Sequence, residues 1–169
     1  ITILKNENDI DELGFRDLAT CKEFVLGSLT LFEEYRSDNC RTIMQFIADI
    51  IKSMELRDYL TLDDLYTMSE REVVDWILSC GDKTLTEAFR QLQRATCVYS
   101  SNTIKKDRYC VSVKTKTRYI VPLVQGDSEV GPSRIVDLSR HTARAIKKYL
   151  DAKSSKYVGF DFEFTPYSE

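Results

Sequence analysis

The residues with the most evident chemical potential in this 169-residue chain are six cations between positions 105 and 118. Tyr109 and Tyr119 are interleaved with them. Cations and aromatic rings on one sheet surface can bind a nucleotide or a single-stranded nucleic acid, because cations meet phosphates and rings stack on bases. Lysine and arginine also protect the solvent side of sheets, so a solvated face and a contact with an acidic part of the chain stay open as alternatives. The candidate ligand-binding residues are Lys105, Lys106, Arg108, Lys114, Lys116 and Arg118.

Residues that commonly bind metals are sparse. The one histidine, His141, lies among Arg140, Arg144, Lys147 and Lys148, and this positive charge disfavours a bound cation. The five cysteines form no C-x-x-C pair, whereas zinc sites and disulfide frameworks use closely spaced pairs. We therefore predict no metal site and five reduced, mostly buried thiols, as is typical of a cytoplasmic protein.

Two pairs of carboxylates are close enough in sequence for acid–base or magnesium chemistry. Asp63 and Asp64 begin a predicted helical turn, where the helix dipole favours acids whatever the function. Asp161 and Glu163 alternate with phenylalanines, which indicates polar side chains outward and aromatic side chains inward. The sequence contains neither of the glycine-rich phosphate-binding motifs, G-x-x-x-x-G-K-S/T and G-x-G-x-x-G. The sequence thus predicts no catalytic residue in this chain.

Composition indicates a folded soluble protein. Hydrophobic residues make up 43% of the chain and charged residues 30%, as in globular rather than disordered chains. No apolar run approaches the ~18 residues that a membrane span needs. Residues 1–93 hold 10 Lys+Arg against 19 Asp+Glu, whereas residues 94–169 hold 14 against 8. Such asymmetry is typical of two structural units, or of an acidic surface that docks on a basic one.

Helical periodicity dominates the first part of the sequence. Apolar residues recur three and four positions apart after polar residues that commonly begin helices. In the helix expected after residue 69, Val73, Trp76 and Ile77 are predicted to face inward, and Gly81 is expected to end it. The expected helix starts are Thr20-x-x-Glu23, Asn39, Thr61, Ser69-x-x-Glu72 and Thr84-x-x-Glu87.

At about Ala95 the apolar period changes from that of a helix to that of a strand. Because strands follow helices rather than alternate with them, the sequence predicts an α+β fold. Antiparallel helices are expected over residues 1–94, and a mostly antiparallel sheet that carries one helix over residues 95–169. The later elements are a basic hairpin with strands over 109–114 and 118–124, a loop over 125–133, a strand over 134–138, a basic helix from Ser139 to Leu150 and a strand over 156–164.

The stretch Asp58-Tyr-Leu-Thr-Leu-Asp-Asp-Leu-Tyr-Thr-Met-Ser-Glu-Arg-Glu-Val-Val-Asp-Trp-Ile77 resembles the C-terminal region of bacterial HD-domain phosphohydrolases of the dNTP-triphosphohydrolase-like type. Residues 23–51 are similar to the helices that follow the metal site in that family. Arg118-Tyr-Ile-Val-Pro-Leu-Val124, Arg134-Ile-Val-Asp-Leu-Ser139 and Tyr157-Val-Gly-Phe-Asp-Phe-Glu-Phe-Thr-Pro166 are similar to its closing strands. The resemblance spans most of the chain and consists of structural patterns rather than catalytic signatures.

The chain departs from this family in its metal ligands. Members bind a divalent metal through an upstream histidine, a His-Asp pair and a later aspartate, and the metal activates water. This sequence has no His-Asp dipeptide. The resemblance therefore implies a fragment that lies downstream of the catalytic core, with the divalent metal expected only in that missing upstream domain. Its implied partners are the upstream catalytic domain and further copies of the chain, with a nucleotide as a candidate effector.

Three hypotheses about function follow. The favoured one is a non-catalytic assembly and regulatory portion of a cytoplasmic phosphohydrolase that acts on nucleotides or other phosphate esters and does not contact a membrane. The alternative is a stand-alone nucleotide- or nucleic-acid-binding module that uses the basic hairpin at 105–118. The third is a pure assembly domain in which the acidic half docks on the basic half, within one chain or between chains.

Overall fold

The computed structural model describes residues 1–126 and 131–166, and it has the α+β architecture that the sequence predicts. Residues 127–130, part of the loop expected over 125–133, lie outside the described residues. None of the described helices is long and apolar enough to cross a lipid bilayer. In chain order the elements are β1 (Thr2–Lys5), β2 (Asp11–Phe15), α1 (Leu18–Arg36), α2 (Asp38–Leu56), α3 (Leu62–Thr67), α4 (Glu70–Ser79), α5 (Lys83–Arg94), β3 (Tyr99–Ser101), β4 (Cys110–Val111), β5 (Leu123–Val124), β6 (Ser133–Arg134), α6 (Ile135–Leu138), α7 (Arg140–Asp151) and β7 (Tyr157–Gly159).

The chain folds into two compact units that are interleaved along the sequence. Unit 1 comprises Ile1–Arg36 and Lys116–Lys153, and unit 2 comprises Ser37–Thr115 and Ser154–Glu169. Each unit therefore combines acidic and basic stretches. Unit 1 has 12 Lys+Arg against 12 Asp+Glu, and unit 2 has 12 against 15. The sequence-based division into residues 1–94 and 95–169 follows the change of apolar period and of charge along the chain, whereas the units follow its packing.

Unit 1 is built on a mixed sheet of four strands in the order β1-β2-β5-β6. β1 and β2 form an antiparallel hairpin in which Ile3 lies opposite Leu13. β5 runs parallel to β2 and antiparallel to β6, and its residues Leu123 and Val124 are buried. Side chains from α1, α6 and α7 complete the core. Its main cluster comprises Phe15, Cys21, Val25, Leu29, Val124, Ile135, Ile146 and Tyr149.

Two arginines join segments of unit 1 that are distant in sequence. Arg36, the last residue of α1, donates to Tyr149 O at 2.8 Å and to Ala152 O at 2.7 Å, and it lies over the Tyr149 ring. Carbonyl groups at a helix C-terminus lack partners within the helix, so this cation satisfies the end of α7. Arg134 in β6 forms two hydrogen bonds to the Glu12 carboxylate in β2, at 2.6 and 3.0 Å. The hydrogen bond from Arg134 holds the pKa of Glu12 below its usual value.

Unit 2 packs the helices α2 to α5 with a three-stranded antiparallel sheet in the order β3-β7-β4. Phe46 of α2 is fully buried, and four aromatic rings surround it at centroid distances of 4.7 to 5.5 Å. The rings meet Phe46 edge-on, which is the favourable arrangement of their quadrupoles. The expected inward direction of the phenylalanines after β7 is confirmed. The four surrounding rings are Tyr109, Phe160, Phe162 and Phe164.

An ion pair between the buried Arg41 and the partly exposed Asp38, at the start of α2, connects four segments of unit 2. The Arg41 side chain, 2% exposed, binds Asp38 Oδ1 through two nitrogens at 2.7 and 3.0 Å. It also donates to Val113 O at 2.9 Å and to Ser155 O at 2.6 Å. The second Asp38 oxygen accepts hydrogen bonds from the hydroxyls of Ser100 and Ser155. Every charge of the pair is thereby compensated, as burial requires.

Of the five helix starts expected before residue 95, those at Thr61 and Ser69 are confirmed, and so is the helix end at Gly81. The side chains of Thr61 and Asp64 bind each other's backbone N–H groups, and those of Ser69 and Glu72 do the same. These are two complete capping boxes, which supply acceptors to N–H groups that a helix leaves unpaired. Gly81 follows α4 with a φ of +84°, a conformation that glycine adopts without a steric penalty.

Three other helices begin upstream of the predicted residue. Asp17 accepts a hydrogen bond from the backbone N–H of Thr20 at 2.8 Å, so Thr20 lies inside α1. In each of the three helices, a side chain two or three residues before the predicted start accepts hydrogen bonds from backbone N–H groups of the first turn. The observed caps are Asp17, Ser37 and Asp82, in place of the expected Thr20, Asn39 and Thr84.

The predicted basic hairpin is wrong, because its two strands pair elsewhere. Cys110–Val111 pairs with β7, and Leu123–Val124 pairs with β2 and β6 in the other sheet. The strand expected over 134–138 is also wrong, since only Ser133–Arg134 is extended and Ile135–Leu138 forms a helical turn. A short apolar run does not distinguish a buried strand from a buried turn of helix.

Trp76 and the cysteines are less buried than the sequence indicates. Trp76, which was expected to face inward, is 48% exposed, and its indole N–H donates to Tyr59 O at 2.8 Å. All five cysteines are free thiols, but only Cys21 is buried, and Cys97 is exposed.

We predict opposite effects for alanine at two glycines. A Cβ at Gly159 would lie 1.9 Å from Tyr109 O, whereas one at Gly27, exposed on α1, would meet nothing within 4 Å. Gly159→Ala should lower the free energy of unfolding by about 3 kcal/mol through overpacking. Gly27→Ala should raise it by about 0.5–1 kcal/mol through helix propensity. Urea unfolding followed by circular dichroism measures both, and an unaffected Gly159→Ala variant would contradict the close approach of β4 and β7.

A second prediction concerns Asp38 and pH. Burial raises the pKa of Asp38, but hydrogen bonds from Ser100, Ser155 and Arg41 outweigh burial and lower it. A lowered folded-state pKa stabilises the protein above the unfolded pKa of about 3.9, and this contribution is lost as pH falls through the folded pKa. Asp38→Asn should therefore cost about 3 kcal/mol at neutral pH, because it leaves Arg41 buried and unpaired.

The difference between the wild type and Asp38→Asn should narrow in acid. Urea unfolding at neutral pH and below about pH 4 tests this. Asp161→Asn is the matched control, since Asp161 also pairs with an arginine but is 73% exposed. It should cost less than about 1 kcal/mol. A difference for Asp38→Asn that stays constant over the whole pH range would refute the assigned role.

Candidate interaction surfaces

The structure does not bring the six predicted ligand-binding cations together on one hairpin. Five of them are exposed, and Arg108 is half-buried. The backbone that was expected to join them as a hairpin divides between the units after Thr115. Lys105, Lys106, Arg108 and Lys114 belong to unit 2, and Lys116 and Arg118 belong to unit 1.

Arg108 has a structural role within unit 2. Its guanidinium pairs with Asp107 at 2.7 Å and with Asp161, and it lies 5.8 Å from the centre of the Tyr99 ring. The hydrogen bond to Asp107 raises the pKa of Arg108 further above its already high value. These contacts connect the β3–β4 loop with the segment after β7. A phosphate would have to displace two carboxylates to reach this cation, so only the exposed Lys105 and Lys106 remain as neighbouring cations of the predicted set.

The other candidate residues are also dispersed. Among the described residues, no group of three or more His, Cys, Asp or Glu side chains is arranged to hold a metal ion. Asp64 is part of a capping box, and Asp161 pairs with Arg108. His141 is exposed on α7. Asp64 and Asp161 therefore serve local structure.

Two shallow depressions occur in unit 2. The first has a volume of about 180 Å³ and lies between α2, the end of α5 and Phe160, with Asn39 and Cys97 on its wall. The second, of about 400 Å³, lies at the start of α5 beside Lys83, Glu87 and Arg90. Neither includes a residue of the predicted ligand-binding set, so neither supports a nucleotide pocket formed by those cations.

A solvent-exposed apolar face lies on the β1–β2 hairpin of unit 1. Ile3 and Leu13 are directly opposite each other and are 66% and 70% exposed. Ile1, which immediately precedes β1 and lies two residues before Ile3, is 79% exposed. We call these three residues the hairpin face. Contiguous exposed apolar residues of this kind commonly mark a protein–protein contact.

The outer edge of β1 borders the hairpin face. Within the described residues, β1 is the terminal strand of its sheet. The Asn6 N–H donates to Ile10 O at 2.9 Å. Because hydrogen-bonded and non-hydrogen-bonded pairs alternate along an antiparallel ladder, the backbone N–H and C=O groups of Leu4 point toward β2. Those of Ile3 point toward the open edge. Lys5, the edge cation that would discourage pairing, is compensated by Asp9 and Asp11 at 3.4 Å each.

The sequence contained a weak signal for this hairpin. Thr2 to Lys5 alternates in burial, but Leu4 is apolar as well as Ile3, so the hydrophobic period is obscured. Leu4 faces inward, because a Cβ on Gly14 would lie 2.6 Å from its Cδ1 atom. The polar turn at 6–9 between two apolar stretches is the feature that indicates a hairpin.

Comparison of this chain with protein-family models, with curated proteins and with solved structures gives no match.

Proposed function

We propose that this chain is the non-catalytic assembly and regulatory portion of a bacterial HD-type phosphohydrolase that acts on nucleotides or other phosphate esters. The observation that carries the assembly role is the exposed Ile3–Leu13 pair beside the open edge of β1. The resemblance of residues 58–77 to the C-terminal region of that family supports the parent class. Five free thiols support a reducing compartment, the bacterial cytoplasm.

A second copy of the chain is the occupant that fits this edge. Antiparallel pairing of two β1 strands about a two-fold axis is self-complementary, because each edge offers the same alternation of donors and acceptors. Such pairing would join two four-stranded sheets into one. It would also place the hairpin face of one copy beside that of the other. Backbone hydrogen bonds and apolar burial would then act together, as in other cases of strand addition.

The upstream catalytic domain is the second partner that the parent class implies. The alternative function, a stand-alone nucleotide- or nucleic-acid-binding module at 105–118, has less support, because its cations are divided between the two units. The acidic and basic halves of the chain also do not correspond to the units, each of which is close to neutral. Apolar association at the β1 edge therefore explains assembly better than docking of the two halves.

Lysine on the hairpin face should abolish self-association. We expect the wild type to be a dimer at high micromolar concentration in size-exclusion chromatography with light scattering. Ile3→Lys and Leu13→Lys should each be monomeric, because a lysine ammonium would be desolvated in the contact. Ile104→Lys is the matched control, since Ile104 is 55% exposed in unit 2 and should leave the dimer intact.

Circular dichroism should show that all three variants keep the wild-type helix content. A wild type that stays monomeric, or dimers of both hairpin variants, would contradict assembly through β1. Loss of the dimer in Ile104→Lys as well would show that any added charge disrupts association, and would remove the argument for this edge.

The chain should have no phosphohydrolase activity of its own. Incubation with dNTPs and Mn²⁺ or Mg²⁺ should release neither phosphate nor triphosphate, because the metal ligands of the parent class are expected only in the upstream domain. A coupled phosphate assay and anion-exchange chromatography of the products measure this. Robust metal-dependent turnover by the purified chain would contradict the non-catalytic role.

A further inference from the structure

The outer face of α7 carries a row of cations that no described acid neutralises. Arg140, Arg144 and Lys148 are all exposed and lie four residues apart, so they share one face of the helix. None of the three forms an ion pair with another residue of the described ranges. Lys147, by contrast, pairs with Asp151 at 2.8 Å. We call Arg140, Arg144 and Lys148 the cation row.

The length of the cation row suits a polymer rather than a single nucleotide. With a rise of 1.5 Å per residue, the row extends over about 12 Å of helix. A linear array of this length can contact successive phosphates of a nucleic-acid backbone. Neither of the two depressions described above includes a residue of α7.

α7 is held rigidly beneath the row. Ser139 caps its start by accepting a hydrogen bond from the Thr142 N–H at 3.3 Å. Arg36 satisfies the carbonyls at its end, as described above. The opposite face of the helix carries Ile146 and Tyr149, which are buried in the core of unit 1. The cations are therefore presented from a fixed support, which reduces the entropy lost when a ligand binds.

The same packing argues against a membrane surface as the ligand. A helix that lies in a bilayer interface inserts its apolar face among the lipids. In α7 that face is used by the core, and the exposed leucines Leu138 and Leu150 lie near opposite ends of the row. Binding of α7 to a membrane surface would therefore rest on charge alone. Arginine also favours phosphate through bidentate hydrogen bonds, and two of the three residues are arginines.

We propose that the cation row of α7 binds the phosphodiester backbone of nucleic acid without reading its sequence. Phosphate contacts position a protein on nucleic acid, whereas base edges carry the sequence information, and the row offers only phosphate-binding groups. This binding is separate from the assembly role, because it uses a different face of unit 1. It also differs in place from the cations at 105–118, on which the sequence-based hypothesis rested.

The test is fluorescence anisotropy of a labelled oligothymidylate titrated with the protein at several salt concentrations. Three contacts on a single strand give a slope of log K against log salt of about −2, so the affinity should fall roughly 20-fold between about 50 and about 200 mM salt. Replacing the row by Arg140→Gln, Arg144→Gln and Lys148→Gln should remove nearly all of that slope and weaken binding at low salt at least about 10-fold.

A matched triple variant separates the row from net charge. Lys105→Gln, Lys106→Gln and Lys114→Gln remove the same three charges from exposed positions of unit 2 and should bind as the wild type does. The variant Lys147→Gln, on the same helix but in an ion pair, should change binding little. Circular dichroism controls for folding.

Three results would overturn the proposal. One is a wild type that does not bind the oligonucleotide at low salt. Another is an equal loss of affinity in the unit 2 triple variant, which would assign binding to net charge or to the predicted cations instead. The last is tighter binding to phosphatidylserine vesicles than to the oligonucleotide, which would identify the row as a membrane contact.

Discussion

The buried Arg41 guanidinium is the interaction on which unit 2 most depends. The strands of this unit are two or three residues long, so most of its non-helical backbone has no ladder to satisfy its carbonyl groups. Arg41 supplies donors to two such carbonyls and is itself neutralised by Asp38. Arg36 does the same for the end of α7 in unit 1. Helices thus provide, through long side chains, hydrogen bonds that a larger sheet would provide through its backbone. Unit 2 is therefore sensitive to the loss of Asp38, since Arg41 would then be a buried cation without a counter-charge.

Local signals explain which elements were predictable from the sequence. The capping boxes at Thr61 and Ser69, the glycine stop at Gly81 and the start of α7 at Ser139 involve residues within four positions of each other, and all are observed. The basic hairpin failed because its strands are defined by partners far away in sequence. Cys110 pairs with Gly159, and Val124 pairs with Phe15. Period and turn residues describe a strand's own chemistry, but they do not state which strand it will join.

Of the candidate surfaces, too, some features were visible in the sequence and others depend on the whole fold. The basic character of α7 is visible in the sequence, since Arg140, Arg144 and Lys148 recur at helical spacing. The sequence could not show that Arg108 forms an ion pair with Asp161. It also could not show that Lys114 and Lys116 belong to different units. The hairpin face was missed for the opposite reason, because exposed Ile3 and Leu13 resemble core residues until their strands are placed. Burial is a property of the whole fold, and pattern alone assigns apolar residues to the interior.

The central position of β7 has a consequence for biosynthesis. β7 is the last described strand of the chain, yet it lies between β3 and β4 and pairs with both. Until Gly159 has left the ribosome, neither of those strands has its neighbour, and Phe46 lacks three of the four rings that surround it. The apolar faces of the unit 2 helices therefore stay partly uncovered until residues 157–164 have been synthesised. Such a chain is most exposed to aggregation before residues 157–164 emerge, when chaperones that shield apolar helices would be of most use.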